Sequence, residues 1–72
     1  MVLKGKVMSM DLSNKTFDFF YIDIAFITFN VMASIEISYE NKHKKKLISL
    51  QKSQQRVDIE VNDKNELVSI YE

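Results

Sequence analysis

From Phe17 to Tyr39 every odd-numbered position is apolar except Asp23, and between Phe19 and Ile27 most even-numbered positions are apolar too. Alternation with period two marks a strand with one face on a core, and apolar residues on both parities mark a strand covered on both sides. Two stretches alternate without a fault. Ile35, Ile37 and Tyr39 oppose Glu36, Ser38 and Glu40, while Val57, Ile59 and Val61 oppose Arg56, Asp58 and Glu60. Val2 to Met10 mixes apolar residues into both parities around Lys4 and Lys6, and reads as an edge strand guarded by lysines. Leu47 to Leu50 is a short apolar run, and Leu67 to Tyr71 makes a last strand.

Turns have to be built without proline and with a single glycine, Gly5. Asparagine, aspartate and serine take over that role because they tolerate positive φ or bond their own backbone. Ser13 to Lys15, Glu40 to His43, Ser53 to Gln55 and Asn62 to Asn65 are the predicted turns. At the last of these, a two-residue loop sets Val61 against Val68 and Ile59 against Ile70, keeping both apolar pairs on one surface. A three-residue loop with left-handed Asn65 sets Val61 against Leu67 and Ile59 against Ser69 instead. Parity favours the two-residue loop.

An unbroken strand from Phe17 to Glu40 would run about 80 Å at ~3.3 Å per residue, so a break is expected near Thr28 to Asn30. The fold class predicted is all-β, a small antiparallel sheet or barrel-like meander of five or six strands. The alternative is an α+β domain with one buried helix at about residues 17 to 33, since Phe17, Phe20, Tyr21, Ile24, Ile27, Val31 and Ile35 also fit helical spacing. Residue types oppose it: the run is aromatic and β-branched, with no polar face for water.

Seventy-two residues with 46% hydrophobic content predict one domain, near the size at which a single core leaves only ~3 to 5 kcal/mol of net stability. No cysteine and one histidine remove disulfides and the usual zinc ligand sets as staples, which leaves self-association. The absence of cysteine fits a reducing compartment, and the cytoplasm is the expected location. Asp23 and Asn30 interrupt the apolar segment too early for a spanning helix, and Asp11 and Asp18 do not suit a cleaved signal, so no membrane partner is expected.

No motif names a chemistry. Net charge is zero, so long-range attraction for nucleic acid or anionic lipid is absent and any basic surface is local. Four lysines, Lys42, Lys44, Lys45 and Lys46, crowd one predicted turn around His43. The bland reading of His43 is a solvated turn residue, and that of the lysines a solvated hairpin tip. Asp23 either points at the core or caps a bend. No cofactor or metal and no catalytic residue is predicted.

By elimination the expected function is a non-enzymatic, homodimeric binding module of adaptor, inhibitor or immunity type engaging a protein partner. Phe17, Phe19, Phe20, Tyr21, Ile22 and Phe26 are its expected partner or dimer interface, because a strand apolar on both faces needs a second cover. The alternative is a nucleic-acid-binding β module using Lys42, Lys44, Lys45, Lys46 and Arg56, with Tyr39 or Tyr71 available to stack if exposed.

Overall fold

The computed structural model describes residues 1–23 and 31–71, with the backbone alone for Ile22, Asp23, Val31 and Met32. Five strands, β1 (Val2–Asp11), β2 (Thr16–Asp23), β3 (Val31–Ser38), β4 (Val57–Val61) and β5 (Leu67–Tyr71), form one antiparallel sheet in the order β3-β2-β1-β4-β5. Between β3 and β4 a 3₁₀ turn, Asn41–His43, leads into the helix α1 (Lys44–Ser53). The first three strands are a meander and β4 returns beside β1, which is the Greek-key order. The sheet curls until its two outer strands touch, where the Ser38 N–H donates to the Asn65 carbonyl at 3.0 Å and Ser38 bridges Glu66 in parallel.

The five antiparallel strands are those the alternation predicts, and the described parts of the segment read as strand or helix are strand: Thr16 to Asp23 pairs residue by residue with Val31 to Ser38. The expected break at Thr28 to Asn30 lies outside the described residues. The helix sits elsewhere. Leu47 and Leu50, three apart, are its buried positions, which explains why a short apolar run after four lysines is helical and not a strand.

A second difference concerns β1, which is not an edge strand but the centre of the sheet, paired with β2 on one side and β4 on the other. Its mixed parity comes from a bulge between Val7 and Ser9: Leu3 and Val7 point into the core before it, and Met10 packs against the core after it. Gly5 is required there. A Cβ at that position would run into the carbonyl of Phe20 and lie 2.9 Å from the Tyr21 Cα, so the two backbones approach as closely as they do only because the residue is glycine.

The hairpin between β4 and β5 combines the two predicted registers. Asn65 is left-handed at φ 58 and Val61 faces Leu67, yet Ile59 faces Ile70, because a bulge between the Glu60 and Val61 pairs inserts one residue into the pairing. Lys15 and Gln54, in two further predicted turns, are also left-handed.

The concave face holds one apolar cluster. Phe17, Phe19, Ile37, Val7, Ile59 and Val61 are its fully buried sheet residues, and Leu47 and Leu50 of α1 close it over β1. Phe17 meets Phe19 edge-on, with centroids 6.3 Å apart, and Tyr39 at 6.1 Å. Among the described residues no helix is long and apolar enough to cross a membrane.

Candidate functional site

The β1–β4 ladder ends at the pair Gly5–Val57, while β1 continues to Asp11 with only β2 beside it. The chain between α1 and β4 does not follow it, and a cleft of about 250 Å³ opens along this gap. Lys4 and Lys6 reach it from β1, and Arg56 reaches it from the residue before β4. None of the three has an ion-pair or side-chain hydrogen-bond partner among the described residues. Phe20 and Tyr21 of β2, both half-buried, form its aromatic wall.

The strand register explains how these groups converge. Lys6 lies opposite Phe20, and Phe20 lies opposite Ser34, so the ring stands on the outer face between a cation and a small neighbour. Tyr21, on the opposite parity, lies between Gly5 and Ala33 and packs against the core while also lining the cleft. Met8, extruded by the bulge, adds an exposed apolar edge. Gln54 closes the far side, its Nε2 donating to the Val7 carbonyl at 3.1 Å and to the Gln51 carbonyl at 2.6 Å. Acidic groups stand near: Asp58 is opposite Lys4, and Asp18, opposite Glu36, accepts from the Ser9 hydroxyl at 2.8 Å. With zero net charge and these carboxylates close by, any attraction exerted by the three cations is local.

The interface expected on the apolar segment is corrected in its main members. Phe17 is 1% exposed and Phe19 fully buried, both in the chain's own core, so neither is available to a partner. One small chain covers its aromatic strand by curling the sheet and laying α1 on it. Phe20 and Tyr21 remain accessible in part, and the side chains of Ile22 and Phe26 lie outside the described residues.

The basic set is divided. Lys42, Lys44 and Lys45 are exposed and Lys46 half-buried at the start of α1, whereas Arg56 follows its other end, ~15 Å away at 1.5 Å per helical residue. Lys42 makes only a loose, exposed pair with Glu40 at 3.8 Å. Tyr39 is buried at 6% exposure, and exposed Tyr71 is held by Glu60, to whose carboxylate its hydroxyl donates at 2.6 Å. Burial withholds the Tyr39 ring from stacking. His43 is half-buried rather than solvated, with Nε2 enclosed and unpartnered. Asp23 ends β2, its side chain outside the described residues.

Sequence reasoning took Lys4 and Lys6 for edge protection and so missed the cleft. The available signal was Gly5 between them, because a lone glycine inside a strand marks a close backbone approach. Among the described residues no group of three His, Cys, Asp or Glu could hold a metal ion. Comparison with known protein families, curated proteins and solved structures finds no match to this chain.

Proposed function

We propose that this protein is a non-enzymatic binding module that takes a single strand of nucleic acid in the cleft beside the β1 bulge. The observation that carries the reading is the gathering of Lys4, Lys6 and Arg56, unpaired among the described residues, around the half-buried Phe20 ring, with core-packed Tyr21 also lining the cleft. Phosphates are held by point charges and bases stack on aromatic faces without regard to sequence, and a single strand presents both. A duplex hides its base faces, and a purely apolar peptide leaves the cations without partners.

The architecture supports the same reading. A five-stranded, partly open Greek-key barrel is the scaffold on which OB-type modules hold oligonucleotides or oligosaccharides, with strand 2 contributing to the binding face. This is an analogy of scaffold, and the case rests on the cleft. The cysteine-free chain suits a reducing, cytoplasmic setting where such ligands occur.

Fluorescence anisotropy with a labelled single-stranded 12-mer (an arbitrary probe length of about twelve nucleotides, enough to span one small barrel) tests the reading. We expect binding at low salt that weakens with a log–log slope of about −2, the value for three phosphates at ~0.7 each, and that Arg56→Glu abolishes it. No binding at low salt, or binding indifferent to salt and to Arg56→Glu, overturns it.

A further inference from the structure

Among the described residues the outer edge of β3 is an open pairing surface, and we propose that it is occupied by a second copy of this chain, joining two sheets edge to edge. Which backbone groups are free follows from two hydrogen bonds. The Tyr39 N–H donates inward to the Lys15 carbonyl at 3.0 Å, and the Ser38 N–H donates outward to Asn65 at 3.0 Å. Hydrogen-bonded and non-hydrogen-bonded positions alternate along an antiparallel pair, so odd positions of β3 bond to β2 and even positions face outward. The Ser38 N–H is taken by Asn65 in the turn before β5, and Ser34 and Glu36 are left with N–H and C=O directed away from the sheet.

Edge strands are normally blunted by proline, charged side chains and lysine above all, a bulge, shortness or a covering segment. Among the described residues Val31 to Ser38 shows only one of these devices, the charge of Glu36: it is eight residues long, without proline or lysine, and in unbroken register with β2. The other outer strand, β5, is five residues long and bulged. The contrast singles out β3.

The occupant is a second copy because the edge is complementary to itself. Placed antiparallel about a two-fold axis at Ile35, Ser34 faces Glu36 of the second copy and Glu36 faces its Ser34. All four outward residues then exchange both backbone bonds. The serine hydroxyls come beside the opposing carboxylates, and Glu36 is kept away from its own symmetry mate. The two Ile35 side chains, half-buried in the single chain, meet at the close-spaced non-hydrogen-bonded position, where cross-strand packing is tightest. A ten-stranded continuous sheet also supplies the extra burial that a domain of this size lacks.

Sedimentation velocity over a concentration series, on the intact chain and on Ser34→Lys and Ser34→Asp, tests this. The intact chain is expected to dimerise reversibly, with Ser34 and Glu36 amides protected from exchange only at high concentration. Ser34→Lys places an ammonium against each opposing Glu36 and tightens the dimer, while Ser34→Asp places a carboxylate there and weakens it, each by about tenfold over two symmetric pairs. A chain that stays monomeric, or a dimer that both substitutions leave unchanged or move in the same direction, overturns the proposal. Binding of nucleic acid in the cleft is a separate matter, and its outcome does not bear on this one.

Discussion

Gln54 stands in for a strand residue opposite Val7. The register that pairs Gly5 with Val57 would next bring Gln55 to Val7, but the chain has turned at Gln54, and the side-chain amide donates to the Val7 carbonyl at 3.1 Å in place of a backbone N–H. Gln54 manages this from a left-handed conformation, φ 55, that also lets its own N–H cap α1 on the Leu50 carbonyl at 2.9 Å. One residue thus ends the helix, satisfies the bulged strand and shapes the cleft.

Two substitutions separate these duties. Gln54→Ala keeps the left-handed strain and loses the amide's bonds, and is expected to cost about 1 kcal/mol or somewhat more. Gln54→Gly loses the same bonds but relieves about 1 kcal/mol of strain, so it should unfold within ~0.5 kcal/mol of the parent. Urea midpoints at constant slope measure both, and a glycine variant no more stable than the alanine one would count against the strain.

Phe19 and Phe20 are adjacent in sequence and opposite in consequence. Phe19 is fully buried against Phe17, so Phe19→Ala should cost ~3 to 5 kcal/mol and leave a domain this small largely unfolded. Phe20 stands half-buried on the outer face, and Phe20→Ala should cost under about 1 kcal/mol while removing ~1 to 3 kcal/mol of single-strand affinity. Circular dichroism and anisotropy on the same samples check the pair. If Phe20→Ala unfolds the protein or binds as the parent does, the ring is not a stacking surface.

Alternation was legible wherever a strand has one wet face. Glu36 and Ser38 against Ile35 and Ile37, or Asp58 and Glu60 against Ile59 and Val61, need no structure to interpret. Bulges were not legible, because an inserted residue reverses parity midway. That reversal made central β1 look like an irregular edge, and it let Val61 and Ile59 obey two different loop registers at once. Of the cleft, only Arg56 was named among the candidate nucleic-acid contacts; Phe20 and Tyr21 were named for a different role. Lys4 and Lys6 join them only through pairings and a turn that lie far apart in the chain.

Tyr71 gives the fold a pH signature. The Glu60 carboxylate, which accepts its hydroxyl at 2.6 Å, raises the Tyr71 pKa above the ordinary tyrosine value, first through that bond and then through desolvation and charge. A raised folded-state pKa contributes stability that is present below the unfolded value and lost as pH rises through the folded one. Glu60→Gln should therefore bring the Tyr71 titration back toward normal and flatten the loss of stability in alkali. Ultraviolet titration, assigned by difference from Tyr71→Phe, follows it. Asp11 works in the other direction: the Asn14 N–H and amide, at 3.0 and 2.9 Å, lower its pKa, and that contribution disappears as acid titrates the folded carboxylate.

Helix α1 begins against its own dipole. Lys44, Lys45 and Lys46 occupy its first turn, no acidic residue is there, and His43 at the N-cap supplies no side-chain hydrogen bond. The positive end of a helix favours carboxylates, so Lys44→Glu and Lys45→Glu should each stabilise the protein by ~0.3 to 1 kcal/mol at low salt, with the gain fading as salt rises. The same two substitutions decide which basic surface holds the single strand. With the cleft as the site, they leave affinity within about twofold of the parent, since contacts ~15 Å along the helix add only screened attraction. Should the double substitution weaken binding as deeply as Arg56→Glu, the strand lies across the lysine run, and the uncapped, dipole-opposed helix start is the feature that the ligand stabilises.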